Sequence, residues 1–213
     1  MIDKKKNGIV FLDLDGPMIP YEGKISGCGD SFRHAIPFRD FPYYSRFCPY
    51  AMQMLGLLCR QYDLEIVTNS SHNGQPNYSK DDKGTDHIHR LFEMNKFHQY
   101  LRKEDFKTQY AQGKYMGGWG KLMIVDYVSR ANAVDKWLNE HLEITRWVVF
   151  DDDRVDFEKE DAPERVKSCF VLTKGDGISP ENIREAKKIL KQFKYQQEKK
   201  EEKTNDAEST SET

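Results

Sequence analysis

An α/β fold, with helices on both faces of a parallel sheet, is what this sequence predicts. Three observations carry it. Short apolar runs recur at residues 8–13 (GIVFLD), 64–68 (LEIVT), 147–150 (WVVF) and 169–173 (CFVLT), and continuous runs of this length suit strands buried on both faces. Segments of helical periodicity alternate with these runs, the pattern of strands joined by crossover helices. Polar groups able to do chemistry stand where the runs end: Asp13 and Asp15, Thr68, and the triplet Asp151, Asp152 and Asp153. In an open parallel sheet the ligand crevice lies beyond the carboxyl ends of the strands, so residues more than a hundred positions apart would converge there.

The elements follow in order. The first run stops at Asp13. Residues 16–48, rich in Gly, Pro and aromatics, predict a long loop or small insertion. Pro49 suits the first turn of a helix through PYAMQMLGLLCRQYD, in which Met52, Leu55 and Cys59 recur at helical spacing. After the second strand comes the polar turn NSSHNGQPN, with loop expected over 74–84. Residues 85–101 predict one helix, on which Ile88, Leu91, Phe92 and Asn95 fall three or four apart. Residues 102–120 read as irregular, and helical pattern resumes within 121–142, most clearly in ANAVDKWLNEHL. A closing helix is expected over about 180–195, with Ser179 as N-cap and Pro180 in the first turn. The organisation expected is one domain over 1–194, with 73–120 as a small lid or insertion, and a charged, disordered tail over 195–213.

Composition narrows the function classes. Among 213 residues, 38% are apolar and 32% charged, a low apolar share that points to a solvated portion. Lysines and arginines number 33 against 35 acidic residues, a formal charge of −2. No global basic field advertises nucleic acid, and no stable nucleic-acid complex is expected. The cysteines at 28, 48, 59 and 169 show no C-x-x-C spacing and read as buried free thiols in a reducing compartment. The only apolar stretch near the N-terminus is cut short by Asp13, and nothing approaches a membrane span, so a cytoplasmic protein without a membrane partner is expected.

The strand-end residues suit phosphoryl chemistry. A carboxylate directly after a strand can attack phosphorus in line and form an aspartyl-phosphate. A second carboxyl two residues on, as in Asp13-Leu14-Asp15, lies on the same side of an extended segment, where it could protonate a leaving oxygen and then deprotonate water. Gly16 permits the sharp turn that follows. Carboxylates facing a phosphate repel it, so a hard cation such as Mg²⁺, held by Asp13 and members of the acidic triplet, is expected. Asp152 and Asp156 stand four apart, on one side if that segment is helical; Asp153 and Asp156 also read as solvated turn residues. Three other features carry less. His87 and His89 would not share a helix face, GGWGK followed by Leu122 lacks the P-loop pattern, and the series Phe32, Phe38, Phe41, Tyr43, Tyr44 and Phe47 reads as loop packing more readily than as a base-stacking surface.

These residues resemble the haloacid dehalogenase (HAD) superfamily. DLDG at 13–16 resembles its motif I, IVTN at 66–69 its motif II, and VVFDDD at 148–153 its acidic motif IV. Arg130, in SRANAVDKWL, stands where motif III has its basic residue, with Lys121 as a rival. The ending FVLTKGDGIS also resembles short, nearly capless HAD domains, including those of nucleic-acid repair proteins. The resemblance implies a three-layer Rossmann-like HAD fold with a mainly parallel sheet and at most a small cap insertion. It further implies a phosphatase that hydrolyses phosphomonoesters, with Asp13 as nucleophile, Asp15 as acid and base, and Thr68, Asn69 and Arg130 on the phosphoryl oxygens. Mg²⁺ would be held by Asp13, Asp151, Asp152 and the backbone carbonyl of Asp15. The implied substrate is a phosphorylated small molecule, nucleic-acid end or phosphoprotein. The alternative is a catalytically silent HAD scaffold serving as a binding or effector module.

Overall fold

A computed structural model of the chain describes residues 6–19, 47–70, 87–102, 129–174, 177–193 and 195, with the backbone alone for 87–90. The described strands are β1 (Gly8–Leu12), β2 (Leu64–Thr68), β3 (Arg146–Asp151) and β4 (Phe170–Leu172). They form one sheet in the order β2-β1-β3-β4, and every pairing is parallel. The α/β architecture with a parallel sheet expected from the sequence is the one found.

Alternation along β1 sorts the core into two layers. Val10, Leu12 and Leu14 pack with α1 (Pro49–Tyr62), with Leu91, Phe92 and Leu101, and with α6 (residues 180–193). Ile9 and Phe11 pack on the other face with α3 (Arg130–Glu140) and with Phe157 and Val166 of the short helices α4 (Arg154–Glu158) and α5 (Glu164–Lys167). Because β1 is covered on both faces, each of its five residues is buried, which is why its sequence reads as an unbroken apolar run.

The helix ends follow local chemistry. Pro49 opens α1, and Asp63 closes it in the left-handed region at φ 51°. The single helix expected over 85–101 is instead α2 (His87–Met94) followed by a 3₁₀ turn at His98–Tyr100. Lys96 stops α2 by taking φ 53°, so that the Phe97 N–H reaches the Phe92 carbonyl at 2.8 Å and the Lys96 N–H that of Glu93 at 2.9 Å. This is a Schellman termination with lysine where glycine is usual. Asn95 serves the join rather than a helix face, as its side chain accepts the Phe47 N–H at 2.8 Å. Ser179 caps α6 as expected, its Oγ accepting the Asn182 N–H at 3.3 Å.

Residues 91–101 supply buried side chains to the core, and Leu101 bridges to Ile66 at the β2 edge. Arg102 then closes the end of the sheet remote from the crevice, donating to the Lys6 carbonyl, Glu65 and Glu143 at 3.0, 3.1 and 2.8 Å. The rest of 73–120, the tail beyond Tyr195, and all of the aromatic series except Phe47 lie outside the described residues. Phe47 is core, edge-on to Phe92. Among the described residues no helix is long and apolar enough to cross a membrane.

Candidate active site

Register brings the functional residues level. Leu12 pairs with Thr68 on one side and with Phe150 on the other. The next residues are locked by the same ladders: the Asp13 N–H donates to the Phe150 carbonyl at 2.9 Å and the Asn69 N–H to the Leu12 carbonyl at 2.8 Å. Asp13, Asn69 and Asp151 therefore stand side by side at the carboxyl edge of the sheet. Thr68 is buried at the end of β2.

Asp13 is 1% exposed, and three groups donate to its carboxylate. The Leu14 N–H reaches Oδ1 at 2.8 Å, the Arg130 Nη1 reaches Oδ2 at 2.8 Å, and the Ser70 hydroxyl supplies the third. Burial raises the carboxyl's pKa all the same, with Arg130, Ser70 and Leu14 opposing the rise. The same Arg130 nitrogen donates to Asp151 Oδ1 at 2.8 Å, which also accepts the Asp153 N–H at 2.8 Å. Burial first, and the charge of Asp13 second, push the Asp151 carboxyl up to about 8. One guanidinium thus serves two buried carboxylates, and in the absence of a cation the pair keeps a proton near neutrality.

Asp152 completes a cluster. Oxygen atoms of Asp13, Asp151 and Asp152 lie within 4.8 Å of one another. Asp151 Oδ2 is buried with no hydrogen-bond partner among the described residues, an expensive state for a carboxylate oxygen. A hard divalent cation would satisfy that orphan and remove the repulsion, so the residues fit a metal of the Mg²⁺ type. Gly16 makes the approach possible. Its φ is +85°, and a Cβ there would stand 2.6 Å from Asp152 Cγ. Asp15 is half-buried in the tight loop after β1, bridged to Ile19, and its side chain is not part of the three-carboxylate cluster.

Arg130 is the first residue of α3, capped by Ser129, whose Oγ accepts the Asn132 N–H at 3.2 Å. Lys121, its rival, lies outside the described residues. Neither Asp153 nor Asp156 is a solvated turn residue. Asp153 caps α4, accepting the Val155 and Asp156 N–H groups. Asp156 is 2% exposed and accepts the Arg130 N–H at 3.1 Å. Ser70, two residues beyond Thr68, bonds the carboxylate of Asp13 itself. The role of Asp156 had no sequence signal, because its partner is a backbone group on another helix. Cys48, Cys59 and Cys169 are buried, and Cys28 lies outside the described residues.

A family model for the HAD domain in Swiss Army Knife RNA repair proteins matches residues 9–183. No curated protein and no solved structure matches the chain.

Proposed function

The chain belongs to the family of HAD domains in Swiss Army Knife RNA repair proteins, and on that premise we propose that this HAD-type hydrolase scaffold is a Mg²⁺-dependent phosphomonoester hydrolase. The observation that carries the reading is the Arg130 guanidinium between Asp13 and Asp151, 2.8 Å from each, with Asp152 joining the cluster. That guanidinium, together with a cation that Asp13, Asp151 and Asp152 would hold, would make a place where phosphate is attracted rather than repelled.

In the proposed mechanism a carboxylate oxygen of Asp13 attacks phosphorus, and the bond to the leaving oxygen breaks. Asp15 gives that oxygen its proton as it leaves. The aspartyl-phosphate is then attacked by a water that Asp15 deprotonates, and inorganic phosphate departs with Asp13 restored. Thr68, Asn69 and Arg130 hold the phosphoryl oxygens, and Ser70 and the Leu14 N–H keep the nucleophile's carboxylate oriented. Mg²⁺, held by Asp13, Asp151, Asp152 and the Asp15 carbonyl, would neutralise charge on the phosphoryl group and on the carboxylates. The family's description supports the terminal phosphate of an RNA strand as the substrate class to try first.

Phosphate release from an aryl phosphate and from 5′- and 3′-phosphorylated oligoribonucleotides tests this, with and without Mg²⁺, for the wild type and Asp13→Asn. Mg²⁺-dependent release by the wild type alone is expected. A folded wild type that binds Mg²⁺ yet releases no phosphate from any of them would sink the enzymatic reading and favour a silent scaffold.

A further inference from the structure

We propose that Asp156 is the positioning residue of Arg130, tying the cation of the site to the loop that carries Asp151 and Asp152, and not a fourth ligand of the metal. The proposal rests on the reading of Arg130 as the group that meets the phosphoryl oxygens.

Spacing alone offers Asp156 as a ligand one helical turn beyond Asp152. The geometry gives it other work. Its Oδ2 accepts the backbone N–H of Arg130 at 3.1 Å, and its Oδ1 accepts the Lys159 ammonium at 2.9 Å. The cluster of potential ligand atoms comprises Asp13, Asp151 and Asp152 without it. The first N–H groups of a helix have no partner inside the helix, and α3 meets this need in two ways. Ser129 takes the N–H of Asn132, and Asp156 takes that of Arg130, where a negative charge also suits the helix dipole.

The linkage is short. Asp153 caps α4 and follows directly on Asp151 and Asp152, and Asp156 lies within that first turn. One contact from α4 therefore fixes the start of α3 relative to the acidic loop. Arginine has a long side chain, and its Nη1 must stay 2.8 Å from two carboxylates at once. Anchoring its backbone restricts where the guanidinium can go. Lys159, with a side chain 40% exposed, supplies the countercharge that lets Asp156 remain a buried carboxylate.

The test uses Asp156→Ala and Asp156→Asn, alone and combined with Arg130→Ala. Asparagine keeps an oxygen for the Arg130 N–H and loses only the charge, so it serves if the alanine variant fails to fold. Alanine is expected to lower kcat/KM by about 10–100-fold, the usual effect of losing a supporting partner, with asparagine between it and the wild type. Mg²⁺ affinity, titrated without substrate, should stay within about threefold. In the Arg130→Ala background the Asp156 substitution should cost less than about twofold, because the residue it positions is gone. Loss of Mg²⁺ affinity by tenfold or more would make Asp156 a ligand, and equal losses in both backgrounds would make it a general structural residue. Either result overturns the proposal. A readout independent of turnover is the Arg130 guanidinium N–H resonance, assigned by its absence from Arg130→Lys. It should shift or broaden in Asp156→Asn, and an unchanged resonance refutes the positioning role even if the wild type proves inactive.

Discussion

Replacing Asp13 by asparagine takes one negative charge from a buried pair at almost constant shape, and in cation-free buffer the variant should be more stable than the wild type. The Asp151 carboxyl is pushed up from 3.8 to about 8, first by burial and second by Asp13, while Arg130 pulls it down. A folded-state value above the unfolded one means that the folded protein holds the extra proton between those limits. The stability this group contributes is full below about pH 4, falls as pH rises, and is lost beyond about pH 8. For one proton the slope is at most ~1.4 kcal/mol per pH unit. Asp13→Asn leaves burial untouched and gives up the bond from Arg130 to Asp13, so it recovers only part of this. A gain of about 1–2 kcal/mol at pH 7–8 is expected, against the larger cost of stranding a buried charge. The unfolding midpoint should rise by roughly 2–8 °C for a chain of this size. Urea unfolding followed by tryptophan fluorescence, in chelator at pH 5 to 8, measures it. The two stability curves should meet near pH 5 and separate toward pH 8, and Mg²⁺ should reverse their order by stabilising the wild type. A variant less stable at pH 8 in chelator, or a gap that ignores pH, would refute the crowded-carboxylate reasoning.

Other expectations follow from the same geometry. Mg²⁺ binding at pH 7 should expel close to one proton per ion, because the Asp151 carboxyl sits at about 8 without a cation; calorimetry in two buffers of different ionisation enthalpy counts it, and zero protons would contradict the coupled pair. Gly16→Ala places a Cβ 2.6 Å from Asp152 Cγ at φ +85°, so it should cost about 1–3 kcal/mol and weaken Mg²⁺ binding. Ser70→Ala removes one of the donors to the Asp13 carboxylate; kcat should fall about tenfold with KM nearly unchanged, and Ser70→Thr should restore much of it. Burial raises the Cys59 and Cys169 thiols to about 12 and about 11, so peptides carrying them should resist iodoacetamide at pH 7.5 until the protein is unfolded, as mass spectrometry would read.

The sheet was largely legible in the sequence because its strands are buried on both faces. Leu64–Thr68 reads as LEIVT and forms β2 over those very residues, and the β1 and β3 runs differ from expectation by a residue at their ends. The crevice was legible for the same reason, since its groups sit where apolar runs stop. What escaped was set by contacts remote in sequence. The expected helix over 85–101 ends at Met94 because Asn95 is taken by Phe47 and Lys96 turns left-handed. Helices α4 and α5 are five and four residues long, too short for periodicity to register. The duties of Ser70 and Asp156 are hydrogen bonds to a side chain and to a backbone amide far along the chain.

The strand order has a consequence for the protein's birth on the ribosome. β1 is made first, yet its neighbours are β2 on one side and β3 on the other. The Asp13 amide itself bonds to the carbonyl of Phe150. Asp13 must therefore wait for more than 130 further residues to be synthesised before its pocket exists, a pairing of high contact order. Until then the central strand has at most one neighbour and an open edge, the condition in which nascent chains associate wrongly. A chain released before β3 would carry Asp13 without the Asp151 that shares its guanidinium, and would leave the apolar strand β1 with an open edge.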